Sequence, residues 1–147
     1  DMALFKFTES IINKKPIKVF NNGEMFRDFT FIDDIVDGII KVSSKTAKAS
    51  PMFDTGNPKT SISSVPFRLF NIGNNKSESL LEYISHLENN LKIKAIKKFE
   101  PLQRGDVIKT SADIANLREW SGYSPKTNIK NGIVKFVEWY NQYYNIN

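Results

Sequence analysis

A chain of 147 residues, 40% hydrophobic and 25% charged, has the size and composition of one globular domain, and no apolar run approaches the roughly 20 residues that span a bilayer. It has no cysteine, which excludes a disulfide framework, thiolate catalysis and zinc sites of the usual cysteine-containing kind. The net charge of +5 permits anionic partners, but the lysines are scattered over several predicted elements, so nucleic acid is not favoured. A cytoplasmic location is the default expectation.

The beginning of the chain already has helical spacing. Residues 2–13 are predicted to form a helix, because Leu4, Phe7 and Ile11 share one face. The chain opens on Asp1, which is not how a natural chain starts. We therefore expect the sequence to be a piece of a longer protein.

A strand that carries an arginine comes next. Residues 17–20 form a short predicted strand, an Asn-Gly turn follows, and the chain then alternates with Arg27 on the same face as Met25 and Phe29. An arginine on a covered face keeps its charge and therefore needs an anion. Two sources of that anion are open: a bound ligand, or one of three nearby carboxylates, Asp28, Asp33 and Asp34.

The strand runs directly into a helix that begins near Ile32 and ends near Val42. Thr30 and Asp33 are spaced like an opening capping box. The adjacent Asp33 and Asp34 have the composition of paired carboxylates or metal ligands. Adjacent residues on a helix diverge by about 100°, however, so we interpret these two as first-turn charges that offset the helix dipole.

The amino-acid composition changes twice in the middle of the chain. Residues 43–65 are rich in Ser, Thr, Lys, Pro and Gly, and we predict a mobile surface loop. Residues 67–72 are almost continuously apolar, which predicts a strand buried on both faces. Ser77 is then placed like the N-cap of a helix. The predicted core face of that helix consists of Leu80, Leu81, Ile84, Leu87 and Leu91.

The last third of the chain alternates strand, loop and helix. Residues 93–99 are predicted as a strand, residues 100–106 as a loop, and residues 113–120 as a helix that Gly122 closes. The final helix has the clearest pattern of all. Its apolar face comprises Ile129, Ile133, Phe136, Val137, Tyr140 and Tyr144.

Three segments of this sequence carry a resemblance to a known family: VFNNGEMFRDFTFIDDI, FRLFNIGNNKSESLLEYI and LQRGDV, in this order. They resemble the C-terminal, substrate-binding portion of the extended short-chain dehydrogenase/reductases, and are most similar to bacterial UDP-glucuronate 4-epimerases. The resemblance spans nearly the whole chain. It implies a mixed α/β fold in which residues 1–147 form the small substrate-binding lobe of an extended Rossmann-type epimerase, without its Gly-rich nucleotide-binding half.

The parts that such an enzyme needs for chemistry are not in this sequence. A nicotinamide cofactor needs a Gly-rich strand-to-helix turn, and the seven glycines here are isolated. The family also uses a Tyr followed four residues later by a Lys, whereas Tyr123 has Lys126 at the wrong spacing. We therefore assign no catalytic, cofactor-binding or metal-binding residue to this chain. The resemblance implies that NAD binds to an N-terminal Rossmann domain, which would be a partner of this chain.

The resemblance does imply residues that bind a UDP-sugar. Phe20 corresponds to the aromatic residue that stacks on the base, although a core phenylalanine is the alternative interpretation. Backbone groups near Lys18 and Val19 correspond to those that read the uracil edge. Arg27 corresponds to the arginine that binds the diphosphate, where a planar fork of donors suits phosphate oxygens.

Further candidate ligands lie on later segments. Asn71 corresponds to a polar residue near the phosphates or ribose, with ordinary turn chemistry as the alternative. Asp106 corresponds to a carboxylate that accepts from the ribose hydroxyls, and Gln103 to a nucleotide contact. Arg104 departs from the family pattern, which usually has proline there. Met2 lies where the family's chain passes over the nucleotide.

The expected function is therefore UDP-sugar binding within an NAD-dependent epimerase that interconverts UDP-glucuronate and UDP-galacturonate at C4 for surface polysaccharide synthesis. A dTDP-sugar dehydratase or decarboxylase of the same superfamily is the alternative nearest to it. From other classes, a basic nucleic-acid-binding module and a structural remnant without ligand are also open. We further expect self-association through the strand at residues 67–72 and the helix at residues 32–42, whose family neighbours lie outside this sequence.

Overall fold

Five α-helices and four short strands follow one another in the computed structural model, which describes residues 3–146. Helices supply most of the regular structure, and the strands are three or four residues long. The elements in chain order are α1 (Ala3–Ile12), β1 (Ile17–Phe20), β2 (Phe26–Asp28), α2 (Ile32–Ser43), β3 (Ser77–Ser79), α3 (Leu80–Leu91), β4 (Lys97–Glu100), α4 (Ala115–Ser121) and α5 (Ile129–Tyr144).

The strands form two separate pairs. β1 and β4 are parallel, with Phe20 opposite Glu100 at their ends. β2 and β3 are antiparallel, with Arg27 opposite Glu78. Because parallel strands end at the same edge of a sheet, Phe20 lies beside the start of the loop that follows β4.

The predicted turn after β1 is confirmed as a short 3₁₀ turn, Asn21–Gly23. Asn21 and Asn22 have φ angles of 49° and 50°, and Gly23 has a φ of 86°. A Cβ atom on Gly23 would lie 2.6 Å from the side chain of Leu81. Glycine is therefore required at this position by both conformation and space.

The main core lies between α1, α3 and α5 and includes one face of β1. Apolar residues spaced at helical intervals give each helix one buried stripe, which packs on the others. The rings of Phe29 and Tyr83 stack with their centroids 4.4 Å apart, and burial raises the pKa of Tyr83. The buried members of this core are Ile11, Ile17, Val19, Tyr83, Ile84, Leu87, Ile133, Phe136, Val137 and Tyr140.

A second, smaller core joins α2 and α4. Ile114, Leu117 and Tyr123 are its buried members. Gly38, within α2, allows this close approach, since a Cβ atom there would lie 2.4 Å from Ile72 Cδ1 and 3.1 Å from the Tyr123 ring. Gly122 ends α4 in the left-handed conformation with a φ of 69°, as the sequence predicts.

The strand predicted at residues 67–72 is wrong. Within the described residues, this segment has one isolated bridge, between Ile62 and Arg68. Phe67, Leu69 and Ile72 are 42%, 54% and 36% exposed. An apolar strand needs neighbouring strands to satisfy its backbone, and no described strand lies beside these residues.

Several element ends also differ from the predictions. Ser77 begins β3 rather than capping α3, which starts at Leu80. The N-cap of α2 is Phe31, without a side-chain hydrogen bond, so the capping box is wrong. The strand predicted at residues 93–99 is shorter and later, as β4. Leu81 is 39% exposed, because it packs on the turn at Gly23 instead of the core.

One face of α2 has little cover in the described chain. Ile32, Val36, Ile39 and Ile40 are between 45% and 61% exposed. Residues 44–76 connect α2 to β3 without a helix or strand. The location of the predicted surface loop is therefore consistent with the structure, whereas its mobility stays a prediction.

Candidate phosphate-binding site

Arg27 lies on β2 with its side chain about one quarter exposed. Its Nη2 atom donates to Asp106 Oδ1 over 2.8 Å. Its Nη1 atom donates to the carbonyl oxygens of Phe26, at 3.0 Å, and Ile108, at 3.1 Å. The anion is thus internal, but Asp106 is none of the three carboxylates that the sequence suggested. Glu78, directly across from Arg27 on β3, pairs with Lys76 instead.

Asp28 has a structural role on the other face of β2. Its carboxylate accepts from the backbone N–H groups of Asn74, Asn75 and Ala112 over 2.8–3.0 Å. Successive strand residues point to opposite faces, which directs Asp28 away from Arg27. Asp28 therefore holds the turn after Gly73 against the segment after β4.

Asp34 is a second internal anchor. Its side chain accepts from the backbone N–H groups of Lys126, at 3.0 Å, and Thr127, at 2.9 Å, and the residue is 7% exposed. Burial by itself raises the pKa of Asp34, but these hydrogen bonds outweigh it, so the pKa is lowered. Asp33 is exposed and lies 3.3 Å from Lys135 Nζ. Both aspartates occupy the first turn of α2, as predicted.

Asp106 belongs to an exposed loop, residues 101–109. Its backbone N–H donates to the carbonyl oxygen of Gln103 over 3.1 Å, which forms a tight turn. Oδ1 of Asp106 also accepts from the N–H of Val107 over 3.0 Å. Gly105 has a φ of 82° with open space around it. This turn joins Gln103 to Asp106, and the side chain of Asp106 pairs with Arg27.

The residues predicted to contact the base lie at the end of β1. Phe20 is half-buried, Lys18 is exposed, and the Val19 side chain is fully buried. A ligand therefore reaches Val19 only through its backbone. Among the described strands, β1 pairs with β4 alone, so its other edge is not used in a sheet.

Asn71 is not part of this group. It is exposed and lines a separate cleft of about 530 Å³, together with Asp28, Gly73 and Thr110. Met2 lies outside the described residues. The structure thus pairs Arg27 with Asp106, which is bonded through its backbone to Gln103, whereas Asn71 lines a different cleft.

The sequence interpretation missed the backbone acceptor at Ile108. The N–H of Phe26 donates to this same carbonyl over 2.8 Å, and Thr110 returns its N–H to the carbonyl of Phe26 over 3.1 Å. These bonds align residues 108–110 with β2 and thereby carry Asp106 to Arg27. No local pattern in the sequence signals a pairing across about 80 residues.

Tyr123 is a further titratable group, and its role is structural. Tyr123 is fully buried, and its hydroxyl donates to the carbonyl of Gly73 over 3.0 Å. Burial, and secondarily the carboxylates of Asp34 and Asp28, raise the pKa of Tyr123.

Within residues 3–146, no group of His, Cys, Asp or Glu side chains is arranged to hold a metal ion. No helix in the same residues is long and apolar enough to cross a membrane.

The chain has a mixed α/β fold in which Arg27, on the antiparallel pair β2–β3, presents a partly exposed guanidinium beside Asp106. Residues 1–56 match the model of the NAD dependent epimerase/dehydratase family. The chain is 42% identical to Protein CapI of Staphylococcus aureus and 36% identical to a probable UDP-glucuronate 4-epimerase of Rhizobium meliloti. Both alignments cover 98% of this chain, but 43% and 42% of the relatives.

A solved structure gives the same picture. The fold is similar to the UDP-glucuronic acid 4-epimerase from Bacillus cereus in complex with UDP-glucuronic acid and NAD, with a TM-score of 0.78 and 26% identity. The alignment covers 98% of this chain and 41% of that protein. The chain is thus related to the NAD-dependent epimerase/dehydratase family and stands close to UDP-glucuronate 4-epimerases. It spans about 40% of the length of these relatives.

Proposed function

We propose that this chain is the substrate-binding lobe of an NAD-dependent UDP-glucuronate 4-epimerase and that it binds the UDP part of the sugar nucleotide. The observation that carries this proposal is the position of Arg27. Its planar fork is partly exposed and pairs with Asp106, which lies on the exposed loop that follows β4. An arginine fork pairs with phosphate oxygens through two parallel hydrogen bonds.

The other candidate residues extend the site along the nucleotide. Phe20 stacks on the uracil ring, and the backbone near Lys18 and Val19 reads its polar edge. Gln103 and Asp106 contact the ribose side, while Arg27 binds the diphosphate. Relatives close to this chain include UDP-glucuronate 4-epimerases, which supports this choice of ligand. Asn71 would contribute from outside the Arg27 group, and Met2 stays a proposed contact with the nucleotide.

We place the NAD site outside this chain. Its pyrophosphate needs glycines that leave open backbone N–H groups at a helix start. Gly38 is enclosed inside α2, and a Cβ atom on Gly73 would lie 2.5 Å from Ala112 Cβ. The sequence also has no Gly-rich strand-to-helix turn, so we assign NAD and the Tyr–Lys chemistry to the portion of the epimerase that this chain does not span.

Calorimetric titration of the 147-residue chain with UDP tests this proposal. We expect saturable binding that Arg27→Ala weakens by about 1 kcal/mol or more, because a charge-assisted hydrogen bond is lost. Arg118→Ala is the matched control, since it removes the same charge from an exposed position on α4. Its affinity for UDP should equal that of the wild type.

The same titration separates the alternatives. Tighter binding of dTDP than of UDP would assign the site to a dehydratase or decarboxylase. Binding that depends on salt and ignores the base would indicate a nucleic-acid-binding module. An absence of saturable UDP binding, or equal losses in Arg27→Ala and Arg118→Ala, would contradict the proposal for this chain.

A further inference from the structure

Two cations lie over a tryptophan near the end of α4. Lys45 Nζ is 4.3 Å from the centroid of the Trp120 ring, and Arg68 Cζ is 5.4 Å from it. Lys45 Nζ also donates to the carbonyl oxygen of Trp120 over 2.9 Å. The ring of Phe70 packs against the same indole, with the centroids 5.8 Å apart. The fold thus gathers two positive charges, which lie on separate parts of the chain, at one aromatic ring.

Neither cation is neutralised by the protein. Within residues 3–146, no carboxylate forms an ion pair with Lys45 or Arg68, and the exposed Glu119 beside Trp120 pairs with neither. Arg68 Nη1 donates to the carbonyl oxygen of Phe67 over 2.8 Å, and its Nε and Nη2 atoms have no acceptor in the same residues. Donors therefore remain for an anion, which would also relieve the repulsion between the two charges.

The indole N–H is a further unused donor. Trp120 Nε1 is shielded from solvent and has no hydrogen-bond acceptor in the described chain. A buried donor without a partner is costly, so a conformation in which an acceptor oxygen reaches it is favoured. Lys45 is exposed and has a flexible stem, so its movement off the ring would give an anion access to the indole.

The segment between α2 and β3 adds to the positive charge around this ring. Residues 44–76 contain five lysine or arginine residues, and Asp54 is their single carboxylate. An excess of one sign of charge raises the local concentration of the opposite ion. The surroundings of Trp120 therefore attract anions as well as offering them donors.

We infer that Lys45, Arg68 and Trp120 form an anion-binding site that takes a phosphate monoester. Such a group carries about two negative charges near pH 7, which match the two cations, whereas a carboxylate carries one. The guanidinium of Arg68 supplies planar donors for phosphate oxygens, and Lys45 supplies an ammonium group. The site shares no residue with the Arg27 group, so the inference goes beyond the proposed function and does not depend on it.

The fluorescence of Trp120 reports on this site directly. The chain has two tryptophans, so Trp139→Phe leaves Trp120 as the single emitter. Titration with glycerol 2-phosphate at constant ionic strength should give a saturable change in emission, because phosphate draws the cations off the ring. Inorganic phosphate should act alike, whereas acetate should bind about fivefold more weakly or less, because it has a single charge. A response to inorganic phosphate alone would overturn the assignment to a monoester.

Charge-removing variants in the same background test the two cations. Lys45→Gln and Arg68→Gln should each weaken binding of glycerol 2-phosphate by about fivefold or more, because a charge-assisted hydrogen bond is lost. Arg68→Lys keeps the charge and should retain more affinity than Arg68→Gln. Lys59→Gln is the charge-matched control, at an exposed position on the same connection, and should change the affinity by less than about twofold.

Arg27→Ala separates this site from the proposed UDP site. It should keep the Trp120 response, and loss of the response would place the phosphate at Arg27 and overturn the inference. The absence of a saturable change, an equal response to acetate, or equal losses in Lys45→Gln and Lys59→Gln would also overturn it. A chain that keeps the Trp120 response but does not bind UDP would contradict the proposed function alone.

Discussion

Glu88, on α3, is a buried charge whose desolvation is offset by interactions with three neighbours. It is 6% exposed; Oε1 accepts from the N–H of Ala95 and pairs with Lys97, and Oε2 lies 3.7 Å from Lys94. Burial raises the pKa of Glu88, but Lys97 and Ala95 outweigh burial, and the net pKa is lowered from its ordinary value of 4.5. The carboxylate therefore stabilises the fold only in its ionised form.

We expect Glu88→Gln to lower the free energy of unfolding by about 1–3 kcal/mol at pH 7, because a buried charged pair loses one partner. The lowered pKa makes this contribution complete above pH 4.5, and it disappears as the pH falls through the folded-state pKa. Urea unfolding at pH 7 and pH 3 measures both parts. The gap between variant and wild type should shrink at pH 3, and the exposed Glu82→Gln control should show no such gap. A gap that is equal at both pH values would contradict this account.

At the scale of elements, the side chain of Asp34 hydrogen-bonds α2 to the segment before α5. Asp34 spans this junction through two backbone hydrogen bonds, whereas its neighbour Asp33 faces solvent. An asparagine at position 34 keeps one acceptor oxygen but sets an N–H₂ group against a backbone donor. The junction is therefore sensitive to a change of a single atom.

Asp34→Asn should lower the free energy of unfolding by about 1–3 kcal/mol, and Asp33→Asn by less than about 0.5 kcal/mol. Both variants lose the same charge from the same helical turn, so a dipole effect would act on both alike. Chemical denaturation of the two proteins at pH 7 provides the comparison. Similar losses in both would mean that the helix dipole, and not the junction, explains the role of Asp34.

Helices were predictable from the sequence and partner-dependent features were not. The apolar stripe that starts at Ile129 predicted α5, because helical periodicity can be read from residues that are close together in the sequence. The strand predicted at residues 67–72 was wrong, because apolar composition cannot show whether a neighbouring strand is present. The pairing of Arg27 with Asp106 was not predicted, because these residues lie 79 positions apart in the sequence and only the tertiary structure brings them together. Both members were nevertheless named as ligands by family resemblance.

At the scale of the whole molecule, the apolar face of α2 is a surface that the described chain leaves exposed to solvent. Ile39 and Ile40 are 58% and 61% exposed, and residues 67–72 add further exposed apolar side chains. Contiguous apolar surface of this kind is costly in water. Under our proposed function, the rest of the epimerase covers this face.

For residues 1–147 alone, we expect self-association through this face. Light scattering over a concentration series should show a mass that rises above that of the monomer. Ile39→Asp should weaken the association by about tenfold or more, because a charge replaces a buried apolar side chain at the interface. Val65→Asp, on the loop between α2 and β3, is the control and is 60% exposed. A monomer at the highest soluble concentration would contradict the expectation.

The parallel pairing of β1 with β4 also joins parts of the chain that are synthesised at different times. The two strands are more than 75 residues apart in sequence, and Arg27 meets Asp106 across a similar distance. Contacts of such high contact order form late, after the entropy of a long closed loop has been overcome. During synthesis on the ribosome, Arg27 is complete long before its partner exists. The Arg27–Asp106 pair thus forms only after the chain has been made beyond β4, so it reports that the first and last thirds of the chain have come together.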